Sequence, residues 1–319
     1  MASYVYGPVP SRRLGQSLGV SPIPEKTCNY SCIYCQLGKT TNFTNHRKRF
    51  YNPKNIINEI SEALKQEGEI DYITFVGEGE PTLSKDLGFL IESTKELTSL
   101  PIAVITNGSL FSSKVIREEV RKVDLIIPTF DAGNSKLFRY INRPHKEIRF
   151  NNLVTGLKKL RQEFNNEIWI EVMLLKGIND SNDLLEEIKG FLDKFQPDQI
   201  QINIPSRPPT ESWVEIPDNK ALNLGKLILQ STQILPLNEV GIFDPGLFKT
   251  PIEAIFSITK RHPLRYNQAL EIIHQFNIEN PEAYLNMLIS KQMLRILEYR
   301  DSRFIYRDKE NKSEFSKKA

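Results

Sequence analysis

Three cysteines, Cys28, Cys32 and Cys35, fall inside Cys28-Asn29-Tyr30-Ser31-Cys32-Ile33-Tyr34-Cys35, and the 319-residue chain has no others. Thiolates at this spacing converge only if the loop wraps round a common centre, and sulfur donors select zinc, copper(I) or iron-sulfur clusters. A structural zinc is normally closed by four Cys or His ligands, and the nearest histidine, His46, lies outside the usual ligand spacing. Three cysteines can instead hold three irons of a four-iron cluster and leave the fourth open, unlike the four-cysteine ligation of electron-transfer clusters. An open iron implies chemistry, and a zinc or inert thiol loop is the competing reading.

The elements that must position this loop follow from periodicity. Residues 53–66 carry Ile56, Ile57, Ile60, Ala63 and Leu64, the stripe of an amphipathic helix. Strands are expected at 72–76, 102–105, 125–127, 169–175 and 199–204, with helices at 87–97, 113–120, 151–164, 184–195 and 217–229. Strands alternating with helices imply βα units and a parallel sheet, where functional groups gather at the C-terminal strand ends. Polar residues fall at each such end: Gly79 and Glu80, Thr106-Asn107-Gly108, Thr129 and Asp131, Lys176 with Asn179-Asp180, and Asn203 with Arg207. Ahead of the loop, Gly7-Pro8-Val9-Pro10-Ser11-Arg12-Arg13-Leu14-Gly15 reads as an extended arm whose two arginines hold an anion or face water.

With Tyr34 at the aromatic position, the loop matches Cys-x3-Cys-x-aromatic-Cys and resembles the signature of the radical S-adenosylmethionine (SAM) enzymes. The resemblance covers roughly residues 6–210 and implies an α/β fold, a partial (β/α)6 TIM-type barrel over 1–235. It implies a [4Fe-4S] cluster on Cys28, Cys32 and Cys35, whose open iron binds the amino and carboxylate groups of SAM. One electron from the cluster then cleaves SAM to methionine and a 5'-deoxyadenosyl radical, which abstracts hydrogen from a substrate. Gly79-Glu80-Pro81 is similar to the family's Gly-Glu-Pro element, which receives the SAM amino group. Thr106, Asn107, Thr129 and Asp131 are candidates for the methionine carboxylate and the ribose hydroxyls, and Tyr34 for helping to bind SAM. Relatives commonly have Ser-Leu-Asp where this chain has Thr129-Phe130-Asp131, which keeps the hydroxyl and the carboxylate. Tyr140-Ile141-Asn142-Arg143-Pro144-His145 is family-like too, with Arg143 and His145 expected near substrate.

The arm, with Ser17-Leu18-Gly19-Val20 and Ile23-Pro24, resembles the branch related to the wyosine-base synthases of transfer RNA. Those enzymes carry a further cysteine triplet that this chain lacks. The implied substrate is macromolecular: RNA or transfer RNA, or alternatively a protein side chain. An electron donor such as flavodoxin or ferredoxin is the other implied partner. A non-enzymatic alternative is an iron-sulfur or metal-sensing regulator that binds DNA; a sensor needs no SAM pocket, so the strand-end residues argue against it.

Beyond a linker at 236–245, residues 251–308 read as three short helices and a β-hairpin about Asp301-Ser302, a small winged-helix domain expected to grip the substrate, followed by a basic tail at 309–319. With 42 Lys and Arg against 39 Asp and Glu, the net charge is only +3, far from that of a protein that coats nucleic acid. No apolar run approaches the roughly 18 residues of a membrane span, and the clustered cysteines suit a reducing compartment, so a cytoplasmic protein is expected.

Overall fold

Apolar runs become strands and 3.6-period stripes become helices in the alternating order the sequence implies. The computed structural model describes residues 4–307 apart from 67, 238, 240, 242, 244–247 and 262. The expected tail at 309–319 and half of the linker positions lie outside the described residues.

The Pro-rich arm is a strand pair: β1 (Val5–Ser11) runs antiparallel to β2 (Gly15–Val20). Two short parallel strands, β3 (Thr27–Cys28) and β4 (Asn42–Phe43), bracket the cysteine loop. Helix α1 (Pro53–Leu64) starts where the Asn52 side chain accepts from the Lys54 N–H, with Pro53 filling a position that needs no donor. Then follow β5 (Tyr72–Phe75), α2 (Leu87–Leu97), β6 (Ile102–Thr106), α3 (Lys114–Glu119), β7 (Leu125–Pro128), α4 (Ser135–Ile141), α5 (Phe150–Glu163), β8 (Glu167–Met173), α6 (Asn182–Phe195), β9 (Gln199–Asn203), α7 (Asn219–Leu229) and β10 (Gln233–Ile234). Helix α4 and strand β10 are additions to the expected set.

The sheet order is β1-β2-β5-β6-β7-β8-β9-β10, and every pair after the first is parallel. Six strand-helix units run from β2 to α7, the partial barrel expected, and no ladder joins β1 to β10 among the described residues. One face of the strands (Ile73, Phe75, Val104, Ile126, Ile170, Ile202) packs against the helices. The other face is apolar at the strand beginnings, where Ala103, Leu125, Ile127 and Trp169 meet Leu14. Toward the strand ends it turns polar, with Ser17, Thr74, Glu171 and Asn203. The active end is therefore built by the sheet's own alternation.

The C-terminal unit comprises α8 (Pro251–Thr259), β11 (Leu264–Arg265), α9 (Tyr266–His274), α10 (Pro281–Ser290), β12 (Leu294–Tyr299) and β13 (Ser302–Arg307). Its sheet has the order β11-β13-β12, antiparallel throughout, so the expected hairpin gains a third strand too short for sequence pattern to reveal. Thr250 and Asn280 cap α8 and α10, each followed by proline.

This unit shares a core with the barrel. Ile255, Ile258, Leu264 and Ile305 pack in one cluster with Tyr6 and Val9 of β1. Beside that core, Arg261 stacks 4.7 Å from the Tyr6 ring centroid and lies 2.9 Å from the Glu78 carboxylate, with both charged side chains buried. Removing one member of a buried ion pair costs about 3–5 kcal/mol. Arg261→Ala should therefore lower the unfolding free energy in urea by about that much. A loss below about 1 kcal/mol would mean that this contact does not fasten the two units together.

Candidate functional site

The cysteine loop is held by backbone hydrogen bonds from three directions. On one side Glu80 N–H donates to the Thr27 carbonyl at 3.0 Å, and Gly79 bridges Thr27. A Cβ on Gly79 would sit 1.8 Å from the Thr27 oxygen, so only glycine permits this approach. On a second side the 141–145 segment runs along the loop: Ile33 N–H donates to Ile141 at 3.0 Å, Ser31 N–H to Asn142 at 3.1 Å, and His145 N–H to Asn29 at 2.8 Å. On the third side Glu211 N–H donates to Ile33 at 3.0 Å, and the Thr210 hydroxyl to the Cys35 carbonyl at 2.9 Å. The family-like 140–145 stretch thus cradles the loop. Arg143 pairs with Glu211, and the His145 ring sits against Phe43 beside Glu147.

Two buried carboxylates anchor the strand ends. Glu80 Oε1 accepts from the Thr82 N–H and hydroxyl and from the Thr106 hydroxyl, the last at 2.6 Å; Oε2 accepts from Asn107 N–H at 2.7 Å. Oε1 is saturated, and Oε2 keeps one acceptor direction open. Asp131 accepts from the Tyr34 hydroxyl at 2.6 Å, Asn142 Nδ2 at 2.7 Å and Met173 N–H at 2.8 Å. Burial raises both carboxyls, Asp131 to about 6 despite those donors. Tyr34 is thereby tied to the strand end after β7. Thr129 N–H donates to Thr106 at 3.1 Å and Pro81 opens a short 3-10 turn, so these two residues shape backbone. Phe130 is buried and stacks 4.0 Å from Phe191 on the helix side, which explains how an aromatic replaces the leucine of relatives.

Amide side chains reach the sulfurs. Asn107 Nδ2 lies 3.9 Å from Cys28 Sγ and Asn142 Nδ2 3.7 Å from Cys32 Sγ, while Tyr30 N–H donates to Cys28 Sγ at 3.3 Å. Asn29 and Asn142 had no assigned role in the sequence reading; position x1 of the cysteine motif and the residue before Arg143 were the available signals. Below the loop, Tyr34, Cys35 and Gln36 border a cavity of about 290 Å³ whose other walls include Arg13, Glu171 and Arg207. Trp213 is 46% exposed, and its ring lies 6.0 Å from that of Tyr140.

The chain matches the radical SAM superfamily over residues 23–188. It is also 34% identical over 309 residues to a UPF0026 protein of Methanocaldococcus jannaschii, covering 94% of each. It belongs to the radical SAM superfamily. A Brachyspira hyodysenteriae protein named GTPase Obg is 48% identical over 198 residues, which are 62% of this chain but only 29% of that protein. The fold resembles that of Streptococcus suis SuiB bound to its precursor peptide SuiA, with a TM-score of 0.51 and 17% identity over 65% of this chain and 44% of that one.

Members of this superfamily are enzymes whose cofactors are a [4Fe-4S] cluster and SAM. The radical SAM loop fits such a cluster by its donors. Burial raises all three thiols, and Cys35 and Cys28 raise Cys32 further, so the sulfurs lie within electrostatic reach of one another. Yet among the described residues no three Cys, His, Asp or Glu side chains converge on a point suited to one ion.

The raised Asp131 carboxyl has a testable sign. It binds its proton more tightly in the folded chain, so its stabilising contribution is complete below the ordinary value of 3.8 and is lost as pH rises through about 6. Asp131→Asn removes that titration. The stability of the unmodified chain minus that of the variant should fall by about 3 kcal/mol between pH 4 and 7; a difference independent of pH would mean the carboxyl keeps an ordinary value.

Proposed function

We propose that this enzyme performs hydrogen abstraction on a substrate held beneath the cysteine loop, with Cys28, Cys32 and Cys35 as cluster ligands. The observation that carries this reading is the continuity of the loop with a cavity at the barrel's strand ends. With its cofactors bound, the site supplies one-electron cleavage of SAM to methionine and a 5'-deoxyadenosyl radical, the electron coming from a flavodoxin or ferredoxin.

The chain's own residues do the holding. Backbone bonds on three sides keep the three sulfurs facing one region before any metal arrives. Asn107 and Asn142 direct N–H groups at two of the sulfurs, an arrangement that favours the thiolate and tunes a cluster's potential. The open direction on Glu80 Oε2, with the backbone at Gly79, receives the SAM ammonium. Thr106 and Thr82 hold that carboxylate and leave the cofactor's remaining groups to the cavity wall. Asp131 acts through Tyr34 and Asn142 as a positioning residue beneath the loop.

The C-terminal unit has the helix, strand, helix, helix, hairpin order of a winged helix. Its third helix carries Glu282 in the first turn and no basic residue in the last, which favours docking and closure over phosphate-backbone binding. A macromolecular substrate, RNA or protein, would present its reacting group to the cavity beside Tyr34 and Cys35. An oxygen-sensitive cluster accords with the reducing cytoplasm, and among the described residues no helix is long and apolar enough to cross a membrane.

Anaerobic reconstitution with iron, sulfide and Mössbauer analysis should give one four-iron cluster, and the reduced protein should release 5'-deoxyadenosine from SAM. Cys32→Ala should abolish both. Glu80→Gln should keep the iron but bind SAM about tenfold or more weakly, the cost of one charge-assisted bond. Stoichiometric zinc without a cluster would refute the reading.

A further inference from the structure

One wall of the cavity is built from buried arginines. Arg12 and Arg13 come from the turn of the N-terminal hairpin, and Arg207 from the segment after β9. Their side chains are 9%, 14% and 4% exposed. Arg13 Nη2 pairs with Glu171, while its buried Nε has no hydrogen-bond partner among the described residues. Arg207 Nη2 lies 2.7 Å from Glu239, and Arg12 Nε reaches the same carboxylate at 3.8 Å. The Arg265 guanidinium acts on Arg12 and Arg207 from behind.

Three guanidiniums on the cavity, those of Arg12, Arg13 and Arg207, therefore share two carboxylates, Glu171 and Glu239, an excess of one positive charge to which Arg265 adds from outside the lining. The other arginine on the cavity, Arg261, is matched by Glu78 and does not alter that excess. Burial, and then the charge of Arg12 and Arg207, pulls Arg13 down to about 9. Uncompensated buried charge is costly, and a fold that needed only to close its barrel would do better with apolar side chains.

We propose that Arg12, Arg13 and Arg207 bind a terminal phosphate on the substrate of this enzyme. The assignment rests on the radical SAM reading for the word substrate; the anion site itself rests on the arginines. A phosphate monoester carries a charge of about −1.5 to −2 near neutral pH, enough to neutralise that excess together with the nearby Arg265 charge. Guanidinium forks suit its oxygens in bidentate pairs. SAM does not meet this need: its carboxylate is cancelled by its own ammonium, and its sulfonium adds a further positive charge. A substrate anchored at the arginines would extend toward Tyr34 and Cys35, on the same cavity wall as the cysteine loop.

The test is calorimetric titration of inorganic phosphate, and separately of acetate, into the reconstituted, SAM-saturated full chain. Saturable phosphate binding at about millimolar affinity or tighter is expected. Arg13→Gln and Arg12→Gln should each weaken it by about tenfold or more, with iron content and SAM affinity unchanged. Thermal melting checks that each variant folds, and Arg12→Gln carries the test if Arg13→Gln does not. Absent phosphate binding, or binding that both variants retain, overturns the proposal. A parallel loss of SAM affinity would assign the arginines to the cofactor, and acetate binding as tightly as phosphate would assign them to a carboxylate; either overturns it. If iron fails to load, the radical SAM reading falls, while the same titration on the metal-free chain still reads the arginine site.

Discussion

Everything at the mouth of this barrel depends on how closely Thr27 and Gly79 approach. The Thr27 carbonyl lies where a side chain on Gly79 would begin, and it accepts the N–H of Glu80. That contact fuses the entry of the cysteine loop to the end of β5. A loop carrying three thiols has little reason to hold its shape by itself, because its side chains offer no core and its backbone donors need partners. Here the Ser31 and Ile33 N–H groups are met by the 141–142 carbonyls, and the loop's carbonyls at Thr27, Asn29, Ile33 and Cys35 accept from Glu80, His145, Glu211 and Thr210. The three sulfurs are thus presented by a frame that costs the cluster little ordering on binding.

Buried carboxylates complete that frame, and they clarify what chemical type alone cannot. Glu80 and Asp131 were recognisable as acids at strand ends, the position where barrels keep their functional groups. Their distant partners were not recognisable: Thr106 and Asn107 lie 26 and 27 positions from Glu80, and Met173 and Tyr34 lie 42 and 97 from Asp131. Asp131 accepts from Tyr34, Asn142 and Met173, which makes it a brace beneath the loop. Glu80 is braced in the same way yet retains one acceptor direction, so a strand-end acid can serve fold and cofactor together.

The legibility of the sequence divides along the same line. Helices such as α1, α2 and α6 and strands such as β6 and β7 announce themselves through local periodicity, which burial of one face enforces. The cysteine motif is local as well. What escaped was set by contacts distant in sequence: β11, two residues long and defined only by its pairing with β13, and the hairpin that turns the Pro-rich arm into β1 and β2. The arginine wall belongs to this group. For Arg12 and Arg13 sequence leaves open whether they hold an anion or face water; the hairpin carries them inside, onto the same cavity as an arginine almost two hundred residues later.

The linker suggested two separable units, a barrel for chemistry and a small module for gripping substrate. The contacts support a tighter bond between them. Tyr6 and Val9, which belong to the barrel's edge strand, are core residues of the C-terminal unit, and Arg261 closes over Glu78 beside the β5 end. Gln36, one residue past the last cysteine, donates to the Arg261 carbonyl at 3.2 Å; Arg207 donates to the Pro263 carbonyl at 3.0 Å. One short stretch, 261–265, therefore touches the cysteine loop, the arginine wall and the N-terminal hairpin. A barrel of six units leaves a side gap that a closed barrel would not have. In this chain the hairpin and the C-terminal unit pack together beside that cavity, so the surface there belongs jointly to β1 and to the C-terminal unit.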